Sequence, residues 1–344
     1  LKEDIGIGDI FSKDYWSLYS GEKKLDPLRF TNNKTQEDVV KEVLELSKEH
    51  KVIFIHGTCG SGKSAIALNI ARILGKSSIV VPVKALQKQY EEDYISKKYL
   101  RRVDGRKMKI AMITGRDNHD SIINPGVSCA DPFLPENIKI IEKNYAKVLE
   151  YVKQNPFISN PENLNFESVR RFTVAAANPY WSPILPATFE LKSLTDARKI
   201  RYKGVNGQEH IFYHRKKGCS YYDQYLAYMD ADVTIFNSAK YRAEMSLGRK
   251  PLTEVDIIDE ADEFLDEFFQ QDELNLTRLL ASARSFYPEE NNSRKSLEKI
   301  KKLIELEEQN KRATGIKEDH VLHISETKIQ EILEEFKLNL DLES

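Results

Sequence analysis

One eight-residue motif constrains the fold of this chain more than any other feature, and it reads Gly57-Thr58-Cys59-Gly60-Ser61-Gly62-Lys63-Ser64. This is the pattern G-x-x-x-x-G-K-[ST], which forms a phosphate-binding loop when it joins a buried strand to a helix. An apolar run at residues 52–55 precedes it, and residues 65–74 repeat apolar side chains at helical spacing up to Gly75. A glycine turn that arose by chance would rarely lie between an apolar run and a segment with helical spacing. The sequence therefore predicts a strand, a phosphate loop and a helix in succession.

The residue types of this motif match the chemistry of a nucleoside triphosphate. Glycines at 57, 60 and 62 let backbone N–H groups converge on phosphates at the start of the helix. Lys63 is predicted to reach the β- and γ-phosphates, and the Ser64 hydroxyl to ligate Mg²⁺. Thr58, Cys59 and Ser61 complete the loop. ATP and Mg²⁺ are the expected ligands.

The remaining apolar runs predict an α/β fold. They lie at residues 78–83, 109–114, 233–237 and 255–259, separated by stretches with helical periodicity. Continuous apolar strands alternating with helices are typical of a parallel sheet that is covered on both faces. A capping box at residues 35–38 predicts a further helix ahead of the first strand.

The chain divides into four predicted segments. Residues 1–116 and 221–268 form two parts of the α/β domain. Residues 117–220, rich in Asn and Pro, form an insertion with one clear helix at about 136–153. Residues 269–344 are charged and helical, which predicts an accessory segment without further strands.

An acidic motif ends the last predicted strand. The strand is followed by Asp259-Glu260-Ala261-Asp262. In a phosphate-loop fold such an Asp holds Mg²⁺ through water, and the next Glu polarises the attacking water. Asp259 is therefore the expected metal partner and Glu260 the expected general base. The alternative is an acidic helix start, but the phosphate loop upstream favours the catalytic interpretation.

The overall charge does not indicate a polyanionic partner, because 52 basic and 54 acidic residues give a net charge of −2. Any nucleic-acid site is therefore local. The densest basic stretch is residues 97–109, and a smaller one is residues 215–217; each is either a phosphate track or a solvated surface. Three scattered cysteines and the lack of a membrane-length apolar run favour the cytoplasm. The missing initiating Met suggests a fragment.

With both motifs in one chain, the sequence resembles the first motor domain of superfamily 2 helicases of the XPD/DinG-like group. Residues 81–89 resemble motif Ia, and residues 113–119, 219–222 and 231–239 follow the group's order. The resemblance implies a RecA-like fold and an ATP-dependent DNA helicase acting in DNA repair on single-stranded or forked DNA. It implies nucleic-acid contacts from Lys84, Gln87 and Asn237, and an adenine-side motif formed by Gln36 with Arg29 and Phe30.

Two departures from that group qualify the resemblance. Its iron–sulfur cluster needs four cysteines, whereas the insertion contains only Cys129 and Cys219, so no such cluster is expected. A zinc site with His210 and His214 is an alternative to packing without metal. In addition, no second RecA-like domain with an arginine-bearing motif follows residue 262. We therefore expect weak or absent ATPase activity from this chain without that partner domain.

Aromatic residues and competing functions leave alternatives open. Tyr221, Tyr225 and Tyr228 share one helical face, which favours core packing over base stacking. Tyr180 and Trp181, flanked by prolines, are candidates for a nucleic-acid wedge. The competing functions are an RNA-directed DEAD-box helicase and a regulatory module that binds nucleotide without turnover.

Overall fold

The computed structural model describes residues 14–58, 60–164, 169–268, 275–286, 291–314 and 323–338. The strands are β1 Tyr19–Ser20, β2 Lys23–Lys24, β3 Ser77–Val81, β4 Ile110–Ile113, β5 Ile184–Pro186, β6 Arg198–Lys203, β7 Glu209–His214, β8 Val233–Asn237 and β9 Val255–Ile258. The helices are α1 Gln36–Leu46, α2 Lys63–Leu74, α3 Lys84–Glu91, α4 Tyr145–Gln154, α5 Arg171–Ala175, α6 Ser220–Asp223, α7 Ala227–Asp230, α8 Ser238–Ser246, α9 Ala261–Phe268, α10 Leu276–Ser285, α11 Asn291–Thr314 and α12 Ile329–Leu338.

A four-stranded parallel sheet flanked by helices forms the centre of the first compact unit, Leu1–Asn137 with Asn178–Phe269. The strand order is β4-β8-β3-β9, and every residue of β3 and β8 is buried. Fully apolar strands occupy the middle because side chains on both faces pack against helices. Four of the five predicted strands and the α/β class are confirmed.

The fifth predicted strand, residues 52–55, is wrong. This segment forms no strand ladder in the described part of the chain, and Val52 and Phe54 are 71% and 80% exposed. Ile53 packs beside α1 and α2 in a cluster that also contacts Ile257 of the edge strand β9. An apolar run becomes a strand only when a neighbour accepts its hydrogen bonds, and here it has none.

The start of α1 and the end of α2 lie where the sequence predicts them. Thr35 Oγ1 accepts a hydrogen bond from the Asp38 backbone N–H (3.2 Å), and Asp38 Oδ2 accepts one from the Thr35 N–H (2.9 Å). This reciprocal capping box starts α1. Gly75, with φ of 109°, ends α2, because only glycine adopts that conformation without strain.

Part of the predicted insertion belongs to the first unit. Residues 184–214 contain an antiparallel sheet of order β5-β7-β6, which the sequence analysis did not predict. Backbone hydrogen bonds from Val205 N–H to Lys250 O (2.8 Å) and from Leu252 N–H to Lys203 O (2.9 Å) attach this sheet to the segment before β9. The compact units divide the predicted insertion at two places, because residues 117–137 and 178–220 belong to the first unit and residues 138–177 to the second.

The second unit comprises Ile138–Ala177 and Gln270–Ser344. In its first part, Val148 and Val152 of α4 pack with Val174 of α5. The predicted helix at 136–153 begins only at Tyr145, and the Ile138 carbonyl instead accepts a hydrogen bond from Arg171 Nη1 (2.6 Å). In its second part, α10, α11 and α12 share one apolar cluster, and all its described elements are helical.

Candidate nucleotide site

The phosphate loop adopts its shape through glycine conformations and a buried glutamine. Gly60 and Gly62 have φ of 83° and 75°, in the left-handed region that favours glycine. Gln36 Nε2 donates to the Ser61 carbonyl (2.9 Å), and Gln36 Oε1 accepts from the Leu28 N–H (2.9 Å). A Cβ on Gly62 would lie 2.1 Å from Gln36 Nε2. Gln36 therefore supports the loop from α1. Cys59 lies outside the described residues.

The acidic motif meets the phosphate loop at the carboxyl edge of the sheet. The Asp259 N–H donates to the Val80 carbonyl (2.8 Å), which continues the pairing of β9 with β3. Lys63 Nζ lies 2.9 Å from Glu260 Oε1. The fold therefore joins the lysine of one motif to the predicted base of the other, although the two are far apart in the sequence.

Glu260 has an unusual backbone conformation. Its φ is 50°, one of two positive values among the described residues other than glycine. A non-glycine residue in this region stores about 1–3 kcal/mol of strain, and such residues cluster at functional sites. The turn directs β9 into α9 and aims the Glu260 carboxylate at Lys63.

Tyr90, which the sequence analysis missed, contacts one of the two predicted magnesium ligands and lies near the other. Its hydroxyl donates to Asp259 Oδ2 (2.9 Å) and interacts electrostatically with the Ser64 side chain. Burial, together with the Asp259 charge, raises the pKa of Tyr90 well above its usual range, so the hydroxyl keeps its proton. No single-sequence pattern distinguishes Tyr90 from any other apolar residue of α3.

The oxygen atoms gathered here fit Mg²⁺. A hydroxyl and a carboxylate are hard donors, and Mg²⁺ usually takes one or two protein ligands together with phosphates and water. Among the described residues, no group of three or more His, Cys, Asp or Glu side chains could hold a metal ion. Ser64 and Asp259 therefore suit a metal ion that arrives with a phosphate ligand.

The predicted nucleic-acid residues differ in accessibility. Lys84 is exposed and forms an ion pair with Asp117 (2.6 Å). Gln87 is buried, and its Nε2 donates to the carbonyls of Ile113 (3.1 Å) and Ile235 (2.9 Å). Asn237, also buried, caps α8 by accepting from the Lys240 N–H. These hydrogen bonds give Gln87 and Asn237 positioning roles at the sheet edge, and their contact with nucleic acid stays a prediction.

The adenine-side residues are only partly gathered. Gln36 contacts the phosphate loop, as described above. Phe30 packs against the cluster formed by α1 and α2. Arg29 is exposed, and its Nη1 donates to the Asn33 carbonyl (3.3 Å). A role for Arg29 beside a nucleotide base stays a prediction.

The two cysteines of the predicted insertion lie together without histidines. Cys129 Sγ and Cys219 Sγ are 4.0 Å apart and buried. A hydrogen bond from Cys129 and backbone N–H groups of the following helix lower the pKa of Cys219 to about 7. His214 Nε2 pairs with Asp223 (2.8 Å), and His210 Nδ1 lies 3.3 Å from the Gln208 carbonyl. The described residues do not assemble the alternative zinc site.

Most of the aromatic candidates are core residues. Tyr221, Tyr225 and Tyr228 are buried and contact one another edge to face, which confirms core packing. Trp181 is 8% exposed, so the wedge hypothesis is wrong for Trp181. Tyr180 is half-buried beneath Lys216 Nζ, which lies 4.9 Å from its ring centroid.

Comparison with known proteins gives a match for the part of the chain that contains the phosphate loop. Residues 29–159 match the family model described as Type III restriction enzyme, res subunit. No curated protein and no solved structure matched the chain. None of the helices in the described ranges has the length and apolar character needed to cross a bilayer. The segment with the phosphate loop is thus similar to the res subunit of Type III restriction enzymes, a helicase-like N-terminal motor domain of superfamily 2.

Proposed function

We propose that this chain is the nucleotide-binding half of an ATP-dependent DNA helicase of the XPD/DinG-like group. The observation that carries the proposal is the 2.9 Å contact between Lys63 Nζ and Glu260 Oε1. It joins a phosphate-binding cation to a carboxylate that can accept a proton, beside the oxygen ligands Ser64 and Asp259. Proton acceptance next to bound phosphates is what NTP hydrolysis requires.

The Lys63–Glu260 ion pair suggests how nucleotide binding prepares the site. Side chains of Lys63 and Glu260 are 29% and 43% exposed, so both can exchange partners. The triphosphate competes with Glu260 for Lys63 because phosphate oxygens carry more charge. Once Lys63 turns to the β- and γ-phosphates, the Glu260 carboxylate can face water. Binding of the triphosphate therefore releases Glu260 from Lys63 before hydrolysis.

The proposed hydrolysis then transfers the γ-phosphoryl group to water. Glu260 accepts a proton from a water molecule as the water oxygen forms a bond to the γ-phosphorus. The bond between the γ-phosphorus and its bridging oxygen breaks, and Lys63 stabilises the charge on the phosphate oxygens. Mg²⁺, when bound, neutralises the β- and γ-oxygens. Ser64 and Asp259 would hold the metal ion, and Gln36 keeps the loop in shape.

A second RecA-like domain and a DNA strand are the expected partners. An arginine supplied across a cleft is worth about 10³-fold or more in the rate of phosphoryl transfer, so turnover by this half alone should be slow. Lys84 is the accessible candidate for a backbone contact with single-stranded or forked DNA. Similarity to a restriction-enzyme subunit favours DNA over the RNA of a DEAD-box enzyme. We propose a cytoplasmic location.

Two variants test the nucleotide site. Glu260→Gln should keep ATP affinity or raise it by up to about fivefold, because the carboxylate that competes for Lys63 is gone, while abolishing single-turnover hydrolysis, because the amide cannot accept the proton. Lys63→Ala should weaken ATP binding roughly thirtyfold, the equivalent of about 2 kcal/mol for a lost charge-assisted hydrogen bond.

Lys84→Ala is the matched lysine control and should leave ATP affinity unchanged. Fluorescent-nucleotide titration and rapid-quench hydrolysis measure both properties. Normal hydrolysis by the Glu260→Gln variant would refute the assignment of the base. Nucleotide binding by the native chain without any hydrolysis, whether or not DNA is present, would leave only a nucleotide-binding regulatory module.

A further inference from the structure

A basic hairpin, residues 99–108, lies at the edge of the sheet opposite the nucleotide site. Backbone hydrogen bonds from Arg102 N–H to Arg106 O (2.7 Å) and from Met108 N–H to Leu100 O (2.8 Å) close it. Arg102 Nη1 pairs with Asp232 (3.0 Å), the residue before β8. Parallel strands begin at this edge, whereas Asp259 and Lys84 follow their carboxyl ends. The hairpin is therefore separate from the predicted nucleic-acid track.

Side chains of the hairpin alternate between a buried core face and an exposed charged face. Leu100 and Met108 are buried in the main apolar cluster. Arg101 and Lys107 form the outer pair of the hairpin bridge and are exposed. The Arg101 N–H donates to Ser17 Oγ (3.0 Å), which ties the hairpin to the N-terminal segment. The charged face is thus held in place by core packing.

The charged face carries a stack of flat groups. The rings of Tyr19 and Tyr99 lie 5.3 Å apart with an interplanar angle of 16°. The Arg101 guanidinium lies 5.1 Å from the Tyr19 ring centroid, and Lys107 Nζ lies 5.2 Å from that of Tyr99. Within the described ranges, no carboxylate forms an ion pair with Arg101 or Lys107. Neither cation is therefore neutralised by a carboxylate there, and both can attract an anionic ligand.

The charge of this region contrasts with that of the whole chain. Residues 97–109 contain seven basic residues and one acidic residue, in a chain whose net charge is −2. Asp104 is engaged by Arg106 (2.6 Å). A dense cationic surface in an otherwise acidic chain indicates a polyanionic partner.

We infer that the charged face of the basic hairpin is a second nucleic-acid site, which binds a single strand by stacking on the Tyr19–Tyr99–Arg101 layer and by phosphate contacts from Arg101 and Lys107. Single-strand readers combine aromatic or guanidinium planes with cations in this way. A membrane surface would require inserted apolar side chains, and the hairpin tip offers only Val103, which is 59% exposed. The choice of partner rests on the proposed function.

The charge component is tested with a fluorescein-labelled single strand of about 20 nucleotides, using anisotropy over a salt series. Arg101→Ala with Lys107→Ala should weaken binding about tenfold and lower the slope of log affinity against log salt by about 1.4, for two lost contacts. Lys51→Ala with Lys203→Ala removes the same charge from exposed positions elsewhere and should change neither quantity. Equal losses in both double variants, or none in either, would overturn the inference.

The stacking component is tested separately. Tyr99→Leu keeps every charge, so it should weaken binding about fivefold or more while leaving the salt slope unchanged. Thermal unfolding of each variant shows whether the protein remains folded. Tyr99→Phe should bind the strand as the native chain does, because it keeps the aromatic ring. A folded Tyr99→Phe variant that binds the strand as weakly as Tyr99→Leu would contradict stacking.

Two further measurements separate this inference from the proposed function. ATP affinity should be unchanged in the hairpin variants, and strand binding by the hairpin should persist in the Lys63→Ala variant. If Lys63→Ala leaves ATP binding intact, the proposed function fails while the hairpin result stands. Hairpin-dependent capture by vesicles of about one-third anionic lipid, without strand binding, would overturn the choice of nucleic acid.

Discussion

Two glutamates of the first unit each contact a lysine, in very different surroundings. Glu260 pairs with Lys63 at the nucleotide site, where the two side chains are 43% and 29% exposed. Glu244 of α8 is 0% exposed, and its Oε1 contacts both Lys240 Nζ (2.8 Å) and Arg249 Nη2 (2.7 Å). The first pair is accessible to solvent and, in the proposed function, to an incoming phosphate, whereas the second is buried from solvent.

This difference separates an ion pair that can exchange partners from one that fixes the fold. Lys240 Nζ also donates to the Tyr225 hydroxyl (2.8 Å), which links Glu244 to the tyrosine core. Although burial raises the pKa of Glu244, Arg249 and Lys240 outweigh it and hold that pKa below its usual value. The network is therefore charged and permanent. The Lys63–Glu260 pair is instead partly exposed to solvent, and it suits the reversible step of the proposed function.

The largest expected effect is the loss of the buried charge network. Glu244→Gln leaves two cations without their carboxylate, so we expect the free energy of unfolding to fall by about 3–5 kcal/mol. Urea unfolding followed by circular dichroism measures it. Glu263→Gln, at an exposed position of α9, is the matched control and should shift stability by less than about 0.5 kcal/mol.

The same network predicts a direction of pH dependence. The folded pKa of Glu244 lies below its unfolded value, so its contribution is fully present above the unfolded pKa of about 4.3 and is lost as pH falls through the folded pKa. Acid unfolding of the native chain should therefore steepen below about pH 4 compared with the Glu244→Gln variant. Parallel acid-unfolding curves would contradict a structural role for the charge.

The second effect concerns the glycine that Gln36 contacts. Gly62→Ala adds a Cβ 2.1 Å from Gln36 Nε2 at a φ of 75°. We expect a loss of about 2–3 kcal/mol in stability, of which the left-handed conformation accounts for about 1–2 kcal/mol. ATP affinity should fall with it, because the loop must move. Differential scanning fluorimetry and nucleotide titration measure the two effects.

Gly126→Ala separates the cost of the left-handed backbone conformation from the cost of the steric clash with Gln36. Gly126 also has a positive φ, of 91°, but a Cβ there meets no atom within 4 Å. This control should lose only the conformational part and keep ATP affinity. Adding Gln36→Ala to Gly62→Ala should restore part of the stability if the collision is real, and no recovery would argue against that contact.

The parts of the molecule that the sequence predicts are those whose chemistry requires contiguous residues. The phosphate loop, the acidic motif and the caps of α1 and α2 are each contained within a few positions, so their patterns can be recognised directly. The Tyr90 contact with Asp259 and the support of Gly62 by Gln36 depend on which helices pack together. A single sequence carries no signal for either.

Strands of this chain differ in how strongly the sequence signals them. Asn206-Gly207, preceded by alternating exposed and buried side chains in β6, is typical of a β-hairpin, and this pattern predicts the pairing of β6 with β7. Residues 52–55 resemble β3 in composition, yet only β3 has neighbours on both edges. Composition indicates that a segment can form a strand, whereas pairing depends on the rest of the sheet.

A smaller effect is expected at Tyr90, which contacts the predicted magnesium ligand Asp259. Tyr90→Phe removes the hydroxyl that donates to Asp259, a hydrogen bond worth about 0.5–1.5 kcal/mol. Because Asp259 loses the donor that orients its carboxylate, Mg²⁺ should enhance nucleotide binding by a factor about three to ten smaller than in the native chain. Nucleotide titration with and without Mg²⁺ gives this ratio.

The neighbouring Tyr94 supplies the control for that experiment. Its ring lies 5.7 Å from that of Tyr90, but the Tyr90 hydroxyl remains in the Tyr94→Phe variant. The magnesium dependence of Tyr94→Phe should therefore match that of the native chain. If both variants behave alike, packing rather than the hydroxyl explains the effect.

The smallest expected effect completes the contrast between the two glutamates. Glu260→Gln removes a charge from a half-exposed ion pair, and such pairs contribute about 0–1 kcal/mol because solvent screens them. The free energy of unfolding should therefore change by less than about 1 kcal/mol, in the same urea experiment that reports several times as much for Glu244→Gln. A loss comparable to that of Glu244→Gln would mean that the Lys63–Glu260 pair holds the fold together, and the exchange of partners on nucleotide binding would then be too unfavourable to occur in each cycle.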